Sequence, residues 1–358
     1  VIMTGMFTDE YYHSGTFTTR REFDRRDVED DNGTATGVFQ RLQRARQSLE
    51  TAASAIQDAA AGPDERVGEL LGLAAVTYNL FGEAYCSGVP FSNLDEGGNL
   101  VPGQPNTTEE VFQLAATTAD AAAAAANGVS TYTYLAALQK GRALLNLGQY
   151  SQAAGAVASV PTDYVFQTTH SIDNGQENGI YAFNAVFERW SLANLEGTNG
   201  LAYRDLNDPR VPWTDAGHNG FDEVTPLYIV EKYPGRDAPA DVATGTEARL
   251  IEAEAALASG DAATMLSKIN EVRALYGLAA ETDPGTPAGR EDLLFRERAL
   301  TLFATSHRLG DLRRMIRQYG RTESQVFPVG EYHKPSFPDY GSDVNFPVPF
   351  DEENNENF

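Results

Sequence analysis

The sequence predicts a mainly α fold: helical hairpins forming an α-superhelical scaffold, interrupted by a loop-rich, aromatic-rich insertion. Three observations predict it. Apolar residues recur every three or four positions over several long stretches. Two well-separated stretches repeat the same spacing of alanine and glycine. Between them the composition shifts sharply toward Gly, Asn, Asp and aromatic residues. With 358 residues, 42% of them hydrophobic, the chain has enough apolar surface for a sizeable core, and we read it as a single unit over 1–358.

Residues 1–32 are mixed and Thr-rich, with Arg20, Arg21, Arg25 and Arg26 interleaved with Glu22, Asp24 and Asp27; they read as an ordered loop entering a helix. The acidic run from Asp27 to Gly33 resembles a calcium loop but fails on spacing. Val28 stands where the first ligand belongs and Phe39 where the closing glutamate belongs. From Phe39 to Ala61 the positions Phe39, Leu42, Leu49, Ala53 and Ile56 predict an amphipathic helix, stopped by Gly62-Pro63. Glu65 to Cys86 is the next, with Leu70, Ala74, Tyr78, Phe81 and Tyr85 on one face, so the two form a hairpin. In residues 87–106, Pro90, Gly97, Gly98, Pro102 and Pro105 exclude regular structure. Loops of that length are usually functional or linking. Thr107 and Glu110 have capping-box spacing and open a helix that runs through an alanine tract to about Ala126, where Asn127-Gly128 stops it.

The next pair is more diagnostic. Ala143, Leu147, Gly148, Tyr150 and Ala153 follow the pattern of a tetratricopeptide helix-turn-helix. A second copy runs from Ala248 to Tyr276, with Ala255 and Gly260 spaced as Ala143 and Gly148 are. The copies lie much further apart than the ~34 residues of a continuous solenoid. The insertion between them, 161–245, holds both tryptophans and many other rings, with short strands expected at Tyr164–Thr169 and Leu227–Tyr233. The helical scaffold therefore spans about 39–160 and 246–320, the loop-rich region about 161–245, and an irregular C-terminal segment 321–358. Gly289 to Gly320 reads as a long core helix broken near Gly310, and it concentrates Arg296, Arg298, Arg308, Arg313, Arg314 and Arg317.

In that stretch Glu297, Arg298, Arg308 and Asp311 are expected to form a structural charge network, because guanidinium binds carboxylate in a planar fork. Glu297-Arg298, Arg308, Asp311-Leu312 and Arg313-Arg314 together resemble the C-terminal signature of the SusD/RagB family of outer-membrane nutrient-binding lipoproteins. Thr301, Thr305, Ser306 and Leu309 depart from that pattern and mark a divergent branch. Gly88-Val89-Pro90, Asp208-Pro209-Arg210, Lys232-Tyr233 and the Pro-x-Pro of the tail add to the likeness, although the usual Asn-Pro is absent. The resemblance implies a cell-surface protein of the outer membrane, attached only through a lipid on a cysteine upstream of Val1. It implies helical repeats that contact a TonB-dependent, SusC-like transporter barrel, and a loop-rich half that holds a glycan or peptide.

Composition bounds the function from another side. Acidic residues number 51 against 27 basic ones, a net charge of −24, which disfavours nucleic acid and anionic membrane surfaces as partners. No run of ~20 apolar residues predicts a membrane-spanning helix. The single cysteine, Cys86, reads as core filler, and His13, His170, His218, His307 and His333 read as solvent-facing or capping groups without metal-ligand spacing. Nucleophile-elbow, phosphate-loop, dinucleotide and zincin motifs are all missing, so no catalytic residue, metal or cofactor is assigned. The expected activity is capture of a glycan or peptide nutrient and its delivery to the transporter. Ligand contacts are expected from Trp190, Trp213, Tyr181 and Asn184, with Phe91 and Asn93 in the 91–106 loop forming one wall. Two other readings remain: a tetratricopeptide-like protein-interaction scaffold, and a glycoside hydrolase using paired carboxylates among Asp163, Asp173, Glu177 and Glu188.

Overall fold

The computed structural model describes residues 1–358 except residues 61, 63, 96, 174 and 358, so the stop expected at Pro63 lies outside the described residues. About half of the chain is helical and the strands are short. Helix α1 (Ile2–Met6) and helix α2 (Thr18–Arg25) flank the strand Tyr11–His13. Helix α3 (Gly33–Ala59) begins before the apolar periodicity does, because Asn32 caps it: its side-chain oxygen accepts from the amides of Thr34 and Ala35 at 2.8 and 2.9 Å. Helix α4 (Glu65–Ala84) returns against it. Helix α5 (Thr108–Ala125) opens on the expected capping box, with the Thr107 hydroxyl accepting from the Glu110 amide at 3.2 Å and the Glu110 carboxylate from the Thr107 amide at 2.8 Å.

Helices α6 (Ser130–Asn146) and α7 (Tyr150–Val157) form the first repeat hairpin. After the insertion, which carries the one-turn helix α8 (Gly179–Tyr181), α9 (Gly245–Ser259) and α10 (Ala262–Leu275) form the second. Gly148 and Gly260 occupy equivalent turns at φ 71° and 81°, a region where a side chain is disfavoured. Helices α11 (Pro287–Thr301) and α12 (Arg308–Tyr319) replace the single broken helix of the sequence reading. The break falls at 302–307, where Ala304 and Ser306 take φ of 59° and 68°, and not at Gly310. Gly310 lies inside α12 and serves packing: a Cβ there would stand 2.7 Å from Cγ and Cδ of Glu83 on α4. The four-residue helix α13 (Glu323–Val326) follows.

Strand content is low but better organised than the sequence implied. Val165–Thr168 pairs with Ala240–Thr244, and Trp213–Asn219 with Pro226–Val230, both antiparallel. Residues 87–106, expected to be irregular, hold two short antiparallel ladders, Val89–Pro90 with Pro105–Asn106 and Asn93–Leu94 with Leu100–Val101. Proline and glycine limit those ladders to two residues a side without preventing them.

The first 32 residues correct the sequence reading most. They form helix, strand and helix, and Met6, Phe7, Tyr11 and Phe23 are fully buried in the largest apolar cluster beside Phe81, Trp190, Phe303 and Phe346. Two smaller cores fill the spaces between α6, α7 and α9 (Leu135, Leu145, Val157, Ile251) and between α9, α10 and α11 (Leu250, Met265, Ile269, Leu294). Among the described residues, no helix is long and apolar enough to cross a membrane.

Burial of the N-terminal segment has a measurable consequence. Glu10 is enclosed, one carboxylate oxygen accepting from the Ala304 amide at 3.0 Å and the other lacking a partner, and burial pushes its carboxyl up to about 7. Folding thus favours the protonated acid, so its stabilisation is complete below about 4.5, its ordinary value, and is lost as pH rises through about 7. A displacement of this size corresponds to about 3 kcal/mol. Glu10→Gln keeps an acceptor for the Ala304 amide and is expected to flatten the fall in urea midpoint between pH 5 and 8. An unchanged slope would assign that fall to another group.

Candidate functional site

The residues expected to meet at one ligand do not converge. Trp190 is fully buried in the strand Trp190–Leu192, which pairs with Tyr11–His13; its ring lies 4.0 Å from that of Tyr11. It has no face open to a ligand. Asn184, also buried, is internal cement: its amide donates to the Trp190 carbonyl at 2.7 Å and its oxygen accepts from the Val230 amide at 2.8 Å. Tyr181 is half-buried on α8, whose first amides bond to the Asn178 side chain.

Phe91 and Asn93 lie elsewhere, against the scaffold. The Phe91 ring packs edge-on to Tyr78 and Phe81 at 4.9 and 5.2 Å, and the exposed Asn93 accepts from Arg46 at 3.0 Å. Arg46 also donates to the Ser92 carbonyl, pinning the loop to α3. Three of the four carboxylates considered for hydrolysis are likewise engaged locally: Glu177 with Arg236 at 3.2 Å, Asp173 with Ser171 at 2.9 Å, and Glu188 with His218 at 3.8 Å.

Of the expected aromatics, Trp213 adjoins a cleft through Tyr228 without lining it. Half-buried, it meets Tyr228 edge-on at 5.5 Å, and Tyr228 lines a cavity of about 320 Å³. Tyr12, Arg204, Thr225, His333, Lys334 and Phe337 complete the walls. The cleft thus joins the N-terminal strand, the insertion and the C-terminal segment, which lie far apart in the chain.

Hydrogen bonds hold most of these groups still. The Tyr12 hydroxyl donates to the Asn194 carbonyl at 2.8 Å while its ring stacks on His333 at 4.4 Å. His333 Nε2 lies 2.8 Å from Asp24, a buried carboxylate that also accepts from the Tyr332 hydroxyl and, at 3.0 Å, from the His13 amide. Burial alone would raise the Asp24 carboxyl, but His333, His13 and the Tyr332 hydroxyl together hold the group below the usual carboxylate range. Lys334 reaches Asp222 at 2.6 Å and fixes the turn that carries Val224 and Thr225.

Arg204 is the exception. Its guanidinium lies 3.7 Å over the Tyr228 ring, its Nε is buried without a partner, and no carboxylate among the described residues is within ion-pair distance. It offers unused donors on an aromatic support.

Comparison with known proteins narrows the reading. Residues 246–355 match the family model described as the SusD family. That C-terminal segment resembles the SusD family. The fold of the whole chain recurs in solved structures at low identity. A SusD-like protein from Bacteroides fragilis is 15% identical with a TM-score of 0.72, covering 98% of this chain and 91% of that one. Surface glycan-binding protein A from Bacteroides uniformis is 15% identical with a TM-score of 0.69, covering 99% and 91%. A protein described as a laminarin-binding SusD-like protein is 14% identical with a TM-score of 0.60, covering 99% and 92%. No curated protein matches the sequence.

The SusD-family segment contains the arginine-rich stretch, and its charges are internal. Arg298 forks onto Asp311 at 2.8 and 2.9 Å, and Arg314 spans Asp311 at 2.7 Å and Glu254 at 3.0 Å. Glu297 accepts from Arg210 at 2.6 Å and Arg273 at 2.8 Å. Arg308 binds Asp9 at 2.7 and 2.8 Å, which ties the N-terminal segment to α12. The four residues of the expected network therefore form three separate links, one to the insertion and one to the chain's start. His13 and His307, expected to face solvent or cap, are buried instead; His307 meets Glu247 at 3.0 Å, and burial drives the His13 imidazole down to about 3. Cys86, expected in the core, is half-buried.

The sequence missed Tyr12, Arg204, Tyr228 and His333 as a group. Arg204 carried no distinguishing signal, since the insertion also holds Arg189, Arg210, Lys232 and Arg236, and its partners in the cleft come from both chain ends.

Proposed function

We propose that this protein is a cell-surface glycan-binding protein that holds its ligand in the Tyr12–Tyr228 cleft, and that it binds rather than cleaves it. The observation that carries this is Arg204, an unpaired guanidinium laid on an aromatic face inside a cavity of about 320 Å³. Flat rings match the C–H faces of a sugar, and free N–H donors match its hydroxyls. Relatives of the same fold that are described as glycan- or laminarin-binding support the ligand class. In this reading the loop-rich region 161–245 and the segment 321–358 supply the binding face, and the helical scaffold about 39–160 and 246–320 faces a TonB-dependent transporter barrel. A lipid anchor holds the protein at the outer-membrane surface.

Calorimetric titration with β-glucan oligosaccharides, other neutral glycans and peptides tests the ligand. Arg204→Ala and Tyr228→Ala are each expected to weaken binding about tenfold, the range of a moderate interface hot spot. Unchanged affinity in both would remove the ligand from this cleft. Release of shorter sugars during the titration would convert the reading to a hydrolase. Recovery of a barrel with the protein from detergent-solubilised outer membranes would support delivery, and recovery without one would favour a stand-alone scaffold.

A further inference from the structure

A second cleft lies between α1, the start of α3 and the insertion, with a volume of about 580 Å³. Three arginines line it: Arg20 on α2, Arg41 on α3 and Arg189 just before the strand Trp190–Leu192. Ile2, Ile180 and Phe183 form apolar wall, Thr34 and Thr168 contribute hydroxyls, and no aspartate or glutamate is among its described lining residues. That is unexpected in a chain with 51 acidic residues, where most buried arginines have a carboxylate.

Two of the three guanidiniums, those of Arg20 and Arg189, are held by aromatic faces rather than by an anion. Arg20 lies over Phe17 and Phe183 at 4.6 and 5.1 Å, and Arg189 over Phe17 and Phe221 at 5.3 and 3.3 Å. Such stacking orients the plane but leaves the in-plane N–H groups unsatisfied. Nη1 of Arg189 is buried with no acceptor, and among the described residues none of the three has a carboxylate within ion-pair distance. Burial, then the charges of Arg189 and Arg41, push the Arg20 guanidinium below its ordinary value, so Arg20 sits near enough to both to be repelled by them.

Covering the rings would account for one stacked arginine. It does not account for three cations around a cavity whose described lining holds no carboxylate. We infer that this cleft is an anion-recognition site, in which Arg20, Arg41 and Arg189 together bind a carboxylate or sulfate group carried on a saccharide. Planar, forked donors suit either oxyanion. In a molecule of net charge −24 a local positive cleft is also a place where an acidic sugar chain escapes the general repulsion. The turn 220–226 connects the two clefts: Phe221 lies under Arg189, while Val224 and Thr225 line the Tyr228 cavity.

The test is titration with three probes at low and high salt: oligogalacturonate for the carboxylate, a chondroitin sulfate oligosaccharide for the sulfate, and a neutral β-glucan oligosaccharide as reference. At least one anionic probe is expected to bind, with an affinity that falls about tenfold on raising salt from 50 to 200 mM, since a few charge contacts are screened. Oligogalacturonate binding alone assigns the carboxylate, and chondroitin sulfate binding alone assigns the sulfate. Arg41→Gln changes an exposed side chain, so folding is retained, and it is expected to weaken the anionic probe about tenfold while leaving the neutral glucan unchanged. Arg20→Gln is expected to do the same. Failure of both anionic probes to bind at low salt, or binding that Arg41→Gln and Arg20→Gln leave intact, overturns the site. Loss of neutral glucan binding in Arg204→Ala tests the other cleft separately, so the two readings fail independently.

Discussion

Asp311→Asn is expected to cost about 3–5 kcal/mol of folding stability, the usual result of removing one member of a buried ion pair. The aspartate accepts from Arg298 and Arg314 at 2.7 to 2.9 Å, and all three side chains are almost fully buried. Burial by itself would raise the Asp311 carboxyl, but the two guanidinium charges hold it well below the usual carboxylate range. Asparagine keeps the shape and loses the charge, which leaves two buried cations facing Glu254 alone. Urea denaturation at pH 7 reads the loss as a lower midpoint. A cost below about 1 kcal/mol would mean the cluster is solvated like a surface pair. The double replacement Arg298→Met with Asp311→Leu should cost less than the two single changes combined, because it removes the stranded charge as well as the bond.

This network also shows why parts of the chain were legible and parts were not. The repeat hairpins were readable because helix signals are local: a capping box at Thr107 and Glu110, a left-handed turn at Gly148 and Gly260, apolar faces at helical spacing. The charge pattern around Glu297 and Asp311 was visible, but its partners were not, since Asp9, Arg210 and Glu254 come from three other segments. The N-terminal segment was read as a loop because its strand is three residues long, too short for a period-two pattern, and its partner strand is in the insertion. The aromatics were legible as a class. Which of them is cement and which lines a cleft depends on packing that spans the whole chain.

The two tryptophans make that distinction measurable. Trp190→Ala is expected to cost about 3–5 kcal/mol, the range for deleting a large buried ring and leaving a cavity. Its side chain is fully buried, its ring lies on Tyr11 at 4.0 Å, and its strand joins the insertion to the N-terminal segment, so the loss reaches both. Binding should then fall together with the folded fraction. Trp190→Phe keeps most of the packing and removes an indole N–H that is buried without a partner, so its cost is expected to be about 1–2 kcal/mol lower. Trp213 is half-buried and meets Tyr228 at its edge, so Trp213→Ala is expected to lower stability by only about 1 kcal/mol while weakening neutral glycan binding through loss of support for Tyr228. Thermal denaturation alongside titration of each variant separates the outcomes. A folded Trp190→Ala protein with full stability and weakened binding would place the ligand in the core-facing half of the insertion and remove it from the Arg204 cleft.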